Sequence, residues 1–224
     1  MSGAPPSPAS SSPDGTPGRV AWLTLFDGAE VAGLRGYGHD EFPVDHWAIE
    51  DGALRTIPGP GVDLITDASY ADFELEFEWR VSPGGNSGVI YRVVESAEPA
   101  WVSGPEYQIL DDELHPDGRN PATSAAALYD LLAPGPGKHL ESVGDYNTGR
   151  IVVRDGHVEH WLNGDLVVEY EWDGPAIRER IAGSKFATLA GFMRQPAGQV
   201  VFQHHGEEAW LRAIRIRPLD GSDS

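Results

Sequence analysis

Alternation of apolar and polar residues is the main structural signal along this chain. It is clearest over residues 73–80, where Phe73 and every second residue after it are apolar, while Glu74 and the residues between them are charged. Strict alternation of this kind is typical of a strand with one buried face. The run ends at the Ser-Pro-Gly-Gly cluster 82–85, which predicts a turn.

Further segments of strand character follow and are separated by turn signals. Residues 150–172 predict a meander of three strands, because Asp155-Gly156 and Asn163-Gly164 are dipeptides that type I′ hairpin turns favour. The remaining predicted strands are 87–92, 106–111, 199–204 and 210–217.

Helix is scarce in this sequence. Residues 175–181 predict one short helix with Pro175 near its start, and the alanine-rich stretch 122–132 is ambiguous. We therefore expect ten or more short strands in an all-β fold, and the antiparallel hairpins favour a β-sandwich over a barrel.

The length of 224 residues predicts a single domain, placed at residues 20–219. The Ser/Pro/Gly-rich stretch 1–19 is expected to be disordered, and residues 220–224 are expected to fray. No signal peptide or membrane span is recognisable, so we expect a cytoplasmic location. The absence of cysteine excludes disulfides and thiolate chemistry.

The net charge of −19 narrows the choice of partners. An acidic surface repels phosphate, so neither nucleic acid nor an anionic membrane is expected as a partner. Phosphate loops, dinucleotide fingerprints and nucleophile elbows are also missing, which disfavours phosphoryl transfer and nicotinamide chemistry. The oligomeric state stays open.

Several polar residues on the predicted strands are candidates for a site. Glu78 and Arg80 lie on the charged face of the first strand, which is either a solvated outer face or the floor of a sugar-binding sheet. Glu106 and Gln108 share a face at period two. His205 shares strand parity with Gln203 and is chemically able to act as base, acid or metal ligand.

Two further groups have a structural alternative. Asp111 and His115 belong to one acidic loop, which either binds a divalent cation or is simply solvated. In a two-residue-turn register, His160 is expected opposite Ile151 and Val167, as a core histidine or as a site residue. Trp161 is expected in the core or as a stacking platform for a sugar.

Eleven motifs in a fixed order resemble the 3-keto-disaccharide hydrolase domain family from about residue 22 to 219. They are Leu25-Phe-Asp-Gly28, Trp47 with Asp51-Gly-Ala-Leu54, Tyr70-Ala-Asp-Phe-Glu74, Glu78-Trp-Arg80, Asn86-Ser-Gly-Val-Ile90 with Arg92, Glu106-Tyr-Gln-Ile-Leu-Asp111, Leu128-Tyr129, His160-Trp-Leu-Asn-Gly164, Ser184-Lys-Phe186, Gln203-x-His-Gly206 and Arg212-x-Ile-Arg-Ile216.

The resemblance implies a concanavalin A-like jelly-roll sandwich and small-molecule substrates oxidised at sugar carbon 3, produced upstream by a sugar 3-dehydrogenase. A ketone there acidifies the C2 hydrogen, so a base can start β-elimination of the group on C1, with or without later addition of water. Glu106 or His205 is the expected base.

The expected enolate stabiliser is Arg80, Arg92 or a divalent metal (Mn²⁺, Mg²⁺ or Ca²⁺). Asn86, Gln108 and Tyr129 are expected to hold substrate hydroxyls.

Two loops depart from the family pattern. Where the family usually has Thr-Gly-Ala-Leu-Tyr, this chain has Ser124-Ala-Ala-Ala-Leu-Tyr129, and Gly-Glu-Trp-Asn becomes Gly144-Asp-Tyr-Asn147.

Two alternative functions stay open. One is a non-catalytic carbohydrate-binding module. The other is a retaining glycosidase, because Glu74-x-Glu76-x-Glu78 distantly resembles the acidic motif of laminarinase-type glucanases.

Overall fold

The structure, a computed structural model, describes residues 21–219. The tail 1–19, which we expect to be disordered, and residues 220–224, which we expect to fray, lie outside the described residues. Thirteen strands and one α-helix make up the described part of the chain. The strands are β1 (Leu23–Phe26), β2 (Leu34–Gly36), β3 (Trp47–Glu50), β4 (Ala53–Thr56), β5 (Leu64–Thr66), β6 (Phe73–Val81), β7 (Asn86–Val93), β8 (Glu106–Leu110), β9 (Asn147–Arg154), β10 (His157–Leu162), β11 (Asp165–Glu171), β12 (Gln199–Phe202) and β13 (Ala209–Pro218), and the helix is α1 (Pro175–Ala182).

The strands form two antiparallel sheets, which confirms the predicted β-sandwich. The larger sheet has the order β11-β10-β9-β6-β13-β4-β3, with β1 paired to β13. The smaller sheet has the order β2-β5-β12-β7-β8. Aromatic side chains from both sheets fill the space between them, including Phe77 and Trp79 of β6, Tyr91 of β7 and Tyr107 of β8.

The two predicted hairpins form as expected, with one difference in register. Asp155 and Asn163 have φ values of 51° and 50°, and the glycine after each is also at positive φ, as type I′ turns require. His160 lies opposite Ile151 but also opposite Val168, so the predicted partner Val167 is wrong. An extra residue in β11 shifts the pairing beyond His160, as a β-bulge does.

One observed strand boundary differs from the prediction because a side chain, rather than a neighbouring strand, accepts the backbone hydrogen bond. The predicted strand 199–204 ends at Phe202, because the amide of His204 donates to the carboxylate of Asp63 at 2.7 Å. The predicted helix is present as α1. The ambiguous stretch 122–132 begins within the 3₁₀ turn Pro121–Thr123 and continues as an irregular segment alongside β8.

The charged row of β6 lies on the outer face of the larger sheet and is neutralised there. Each of its three glutamates pairs with an arginine of β13, in the combinations Glu74–Arg217, Glu76–Arg215 and Glu78–Arg212. Burial alone would raise the pKa of Glu74, but hydrogen bonds from Arg217 and Arg150 outweigh it and lower that pKa.

The outer face of the smaller sheet is divided into two halves. One half is closed by a small apolar cluster of Ile65, Ile90, Val93, Ala100 and Val201. The other half is polar, because Tyr107 and Ile109 of β8 point into the main core and Glu106 and Gln108 therefore face outward. Within residues 21–219, no helix has the length and apolar character needed to cross a bilayer.

The packing of Phe77 against Gly149 gives a test of the core. The two residues are opposite each other in the β6–β9 pairing, and a Cβ atom at position 149 would collide with the Phe77 ring. We expect Gly149→Ala to lower the free energy of unfolding by about 1–3 kcal/mol, measured by urea denaturation. Gly191→Ala is the control, because a Cβ there meets no atom within 4 Å. Equal stability of the two variants would contradict this packing.

Candidate functional site

A pocket of about 220 Å³ lies on the polar half of the smaller sheet's outer face. It is lined by Asn86, Trp101, Gly104, Glu106, Gln108, Asp117, Tyr129, Lys185, Phe186, Gln203 and His205. The lining residues come from β7, β8, the end of β12 and three connecting segments, so the pocket forms only when the whole sheet is assembled.

Glu106 forms the floor of the pocket. Its carboxyl group lies across the neighbouring strand at Gly88, where any Cβ atom would collide with it. Only glycine at position 88 leaves room for this arrangement, and the register places Gly88 opposite Gln108, on the same outer face. The side chain of Glu106 is consequently buried although it faces a pocket.

Burial changes the acidity of Glu106. Desolvation raises the pKa of its carboxyl group from 4.5 to about 8, and the nearby carboxylates Asp63 and Asp117 add to the increase, while the charge of Lys185 opposes it. The amide nitrogen of Gln108, oriented by its hydrogen-bond pattern, donates to Oε1 of Glu106 at 3.1 Å and to the carbonyl of Ser87 at 3.0 Å. Glu106 is therefore a fixed carboxyl group that can exchange a proton near neutral pH.

Lys185 is the cation of the pocket. Its Nζ lies 4.3 Å from the ring centre of Tyr129, 5.2 Å from that of Phe186 and 5.8 Å from that of Trp101. Aromatic faces hold an ammonium group without neutralising it. Ser184 caps the short 3₁₀ turn Lys185–Thr188 by accepting a hydrogen bond from the amide of Phe186. This cap fixes the start of the turn and therefore the backbone position of Lys185.

Two amide side chains present free acceptors to the pocket. Oδ1 of Asn86 and Oε1 of Gln203 are buried and have no hydrogen-bond partner among residues 21–219. Buried polar atoms are normally satisfied, so these two oxygens are suited to accept hydrogen bonds from a bound ligand. Tyr129 adds a third acceptor, because its hydroxyl proton is donated to Asp117 at 3.1 Å.

His205 lies at the rim of the pocket, where its side chain is about 42% exposed. Its Nδ1 lies 2.8 Å from the carboxylate of Glu207, and this contact fixes the orientation of the ring. The pocket thus combines a buried proton-exchanging group, a cation and a half-exposed imidazole. These are the parts that proton abstraction beside a carbonyl requires.

Five of the predicted site residues meet in this pocket: Glu106, His205, Asn86, Gln108 and Tyr129. Glu78 and Arg80 do not, because β6 belongs to the other sheet. Glu78 pairs with Arg212, and Arg80 lies between the rings of Tyr146 and Trp210. The row that they share lies on the outer face of the larger sheet, where its glutamates are ion-paired with arginines of β13.

Arg92, His160 and Trp161 also lie away from the pocket. The guanidinium of Arg92 donates to the carbonyl of Ala71 and stacks on Trp172. His160 is completely buried between the sheets. Trp161 is on the outer face of the larger sheet, where its Nε1 donates to Glu159.

The loop of Asp111 and His115 uses its polar atoms for the backbone. The carboxylate of Asp111 accepts from the amides of Gly84, Glu113 and Leu114, and Nδ1 of His115 accepts from the amide of Asp117. Within residues 21–219, three or more His, Asp or Glu side chains do not converge as a metal site would require.

Six lining residues were not among the predicted site residues: Trp101, Gly104, Asp117, Lys185, Phe186 and Gln203. Lys185 and Gln203 belong to the motifs Ser184-Lys-Phe186 and Gln203-x-His-Gly206, which were a usable signal. Nothing in the local pattern marks Trp101 or Asp117, because they enter the pocket from short connecting turns.

A larger depression of about 610 Å³ lies on the outer face of the larger sheet and includes Glu76, Glu78, Arg150, Trp161 and Arg215. Its carboxylates are already paired with arginines. We place the candidate site in the smaller pocket, because that pocket holds an acidic group with a displaced pKa and free acceptors.

The chain is similar to known sugar-active proteins over most of its length. A family model described as the 3-keto-alpha-glucoside-1,2-lyase-like domain matches residues 21–217. A 3-keto-disaccharide hydrolase of Bacteroides thetaiotaomicron is 34% identical over 230 residues, which cover 89% of this chain and 79% of that protein.

Solved structures show the same architecture. A predicted glycosyl hydrolase of Parabacteroides distasonis superimposes with a TM-score of 0.81 at 25% identity, covering 89% of this chain and 94% of its own. The carbohydrate-binding module CBM66 of Bacillus subtilis superimposes with a TM-score of 0.53 at 11% identity, covering 87% of this chain and 98% of its own. The second likeness shows the fold alone.

The buried carboxyl group of Glu106 should cost stability. Between its ordinary pKa of 4.5 and about 8, the group is protonated in the folded protein and ionised in the unfolded chain, so stability falls as pH rises through this window. We expect Glu106→Gln to raise the free energy of unfolding by about 1–4 kcal/mol at pH 7.5 and by much less at pH 4.5.

Urea denaturation at both pH values measures this difference. Glu78→Gln is the matched control, because Glu78 is ion-paired on the other sheet and should show no such gain at pH 7.5. A gain for Glu106→Gln that is the same at both pH values would show that the carboxyl group is not protonated in the folded protein.

Proposed function

The chain belongs to the 3-keto-alpha-glucoside-1,2-lyase-like domain family, and from this premise we propose that it cleaves 3-keto glycosides by β-elimination in the Glu106 pocket. The substrate is a small-molecule glycoside whose sugar carries a ketone at carbon 3. A sugar 3-dehydrogenase is the class of enzyme that would supply such a substrate.

The reaction starts at carbon 2 of the oxidised sugar. A base removes the C2 proton, and the bonding electrons move into the C2–C3 bond as the ketone oxygen becomes an enolate oxygen. The enolate then expels the group on carbon 1: the C1–C2 double bond forms, the ketone is restored, and the bond from carbon 1 to the aglycone breaks. The leaving aglycone takes its electron pair and receives a proton. Addition of water across the new double bond completes a net hydrolysis.

The pocket supplies one residue for each of these tasks. Glu106 is the base, because it is the buried carboxyl group on the floor and exchanges a proton near neutral pH. Lys185 stabilises the enolate oxygen with its ammonium charge, which the surrounding rings leave unpaired. His205 protonates the leaving group at the rim, where the aglycone has access to solvent.

The free acceptors hold the sugar ring against the floor. Oδ1 of Asn86, Oε1 of Gln203 and the hydroxyl oxygen of Tyr129 accept hydrogen bonds from sugar hydroxyls. These contacts place carbon 2 over Glu106 and leave the aglycone toward Trp101 and His205. The pocket is small, about 220 Å³, which suits one sugar ring better than an oligosaccharide.

The observation that carries this proposal is the pKa of about 8 at Glu106 in a pocket that also holds Lys185. Retaining glycosidases instead need two carboxyl groups about 5–5.5 Å apart. The motif that suggested such an enzyme, Glu74-x-Glu76-x-Glu78, has each of its carboxylates in an ion pair with an arginine of the neighbouring strand β13. The geometry therefore favours elimination over direct displacement.

A paired turnover assay tests the proposal. The purified protein is given an aryl glucoside and its 3-keto form, with and without a chelator. We expect release of the aryl alcohol from the 3-keto form alone, because only that form has an acidic C2 hydrogen. Release from both substrates would indicate an ordinary glycosidase, and binding without release would indicate a carbohydrate-binding module. Loss of turnover with the chelator, restored by Mn²⁺, Mg²⁺ or Ca²⁺, would assign enolate stabilisation to a metal rather than to Lys185.

In the same assay, Glu106→Gln should lower kcat on the 3-keto substrate by about 10²–10⁴-fold, because general-base catalysis contributes factors of this size. Glu78→Gln should stay within about twofold of the wild type. Full activity of Glu106→Gln would remove Glu106 as the base and leave His205 in that role.

The pH profile tests the coupling between Glu106 and Lys185. Because Glu106 must be ionised to act as a base, kcat/KM should rise about tenfold per pH unit up to about pH 8 and level off above it. The charge of Lys185 lowers the pKa of Glu106, so Lys185→Met should move this break to higher pH as well as lower kcat.

Lys185→Arg is the matched control, because it keeps the positive charge and should leave the break near pH 8. A break that stays in place in Lys185→Met would show that the charge does not act on Glu106.

A further inference from the structure

One wall of the pocket is an irregular segment, residues 124–130, which we call the alanine segment. Its backbone runs beside β8. The amide of Ala126 donates to the carbonyl of Gln108 at 2.7 Å, and the amide of Tyr129 donates to the carbonyl of Glu106 at 3.0 Å. The amide of Gln108 donates back to Ala127 at 3.2 Å. The segment thus sets the position of Tyr129 relative to Glu106.

The alanine segment contains a strained residue. Ala126 has a φ of 63°, in the left-handed region, where a residue with a Cβ atom pays about 1–2 kcal/mol. Such a conformation persists only where the surroundings hold it. The amide of Ala126 is held by Gln108, and its carbonyl lies 3.2 Å from Nδ1 of His160.

His160 comes from β10 of the larger sheet and reaches across the core. A carbonyl oxygen can only accept, so Nδ1 carries the proton and donates to Ala126. Nε2 then accepts from the hydroxyl of Tyr91 at 2.9 Å, and the oxygen of Tyr91 accepts from the hydroxyl of Tyr170 at 2.8 Å. Each donor in this series of hydrogen bonds has one acceptor, so the direction of every hydrogen bond in the series is determined.

The imidazole ring stays neutral in this position. Desolvation lowers the pKa of His160 to about 4, and the hydrogen bond to Ala126 only partly opposes it. The ring also packs against Tyr107, with a distance of 4.9 Å between ring centres. Tyr107 is the core-facing residue between Glu106 and Gln108 in β8. His160 therefore contacts the core-facing side of β8, whose outer side carries Glu106, as well as the alanine segment.

We propose that His160 is a positioning residue, which holds Ala126 through its Nδ1–H and thereby sets Tyr129 against Glu106. It lies in the core and does not touch the substrate. The expected effect on turnover rests on the proposed function. The expected hydrogen bond from His160 to Ala126 does not. The proposed role depends on this one hydrogen bond, which distinguishes it from a role in which His160 only fills space in the core.

Two variants of His160 separate the hydrogen bond from the packing. The side-chain amide of asparagine places a donor near the position of Nδ1, whereas that of glutamine places an acceptor near the position of Nε2. His160→Asn keeps the contact to Ala126 and loses the one to Tyr91, while His160→Gln does the reverse. Both variants lose the ring and should be less stable than the wild type to a similar degree.

The expected result is a difference in kcat on a 3-keto glucoside. His160→Gln should lose about tenfold or more, because small displacements of positioning groups have effects of this size, while His160→Asn should stay within about threefold of the wild type. Tyr170→Phe is a further control. It removes the hydroxyl group that donates to Tyr91, the hydrogen bond farthest from Ala126, and should leave kcat unchanged. Equal losses in the two His160 variants would overturn the proposal.

Hydrogen exchange separates this inference from the proposed function. If the wild type cleaves no 3-keto glycoside, the proposed function fails, but the amides of residues 124–130 should still exchange faster in His160→Gln than in His160→Asn. Equal exchange in this segment would overturn the positioning role.

If both variants fail to fold, the wild-type protein itself decides. Long-range ¹H–¹⁵N NMR of the His160 ring should show the proton on Nδ1, and a proton on Nε2 would overturn the assignment.

Discussion

The site depends on a steric condition at Gly88, which leaves room for the carboxyl group of Glu106 to lie flat on the neighbouring strand. Any larger residue would push the carboxyl group outward into solvent. With glycine there, the group is buried at the floor of the pocket, and desolvation raises its pKa to about 8. The apolar cluster around Ile90 and Val201 closes the rest of this sheet face. The pocket is thus the part of the outer face where that cover ends and a buried acid begins.

The same residue type has opposite properties on the two outer faces of the sandwich. Glu74 is about as buried as Glu106, yet hydrogen bonds from Arg217 and Arg150 keep its pKa low. For Glu106, the charge of Lys185 favours ionisation, whereas desolvation and the carboxylates of Asp63 and Asp117 oppose it. The ionised carboxylate of Glu74 stabilises the larger sheet through its ion pairs. The carboxyl group of Glu106, which resists ionisation, is the candidate base on the smaller sheet. This contrast is what distinguishes a structural acid from a candidate base.

Local patterns were enough to predict the strands and much of the pocket floor. Alternation placed Glu106 and Gln108 on one face, and the Asp-Gly and Asn-Gly dipeptides located two hairpins, because these signals depend on neighbouring residues only. Alternation does not show which sheet a face belongs to, so Glu78 and Arg80 were candidates until the register placed arginines of β13 beside the glutamates of β6. A single bulge changed the partner of His160. Trp101 and Asp117 enter the pocket from turns, where no periodicity exists to reveal them.

The alanine segment shows how the two sheets act together. The family usually has glycine two residues before the Leu-Tyr pair, and this chain has Ala126 there, at a φ that favours glycine. The strain of about 1–2 kcal/mol must be offset by contacts, and the hydrogen bond from His160 is one that reaches it from the opposite sheet. The pocket wall is therefore held partly by the larger sheet, although every proposed catalytic group lies on or beside the smaller one. Because interiors are closely packed, a change at His160 would be transmitted to the pocket without any contact with the substrate.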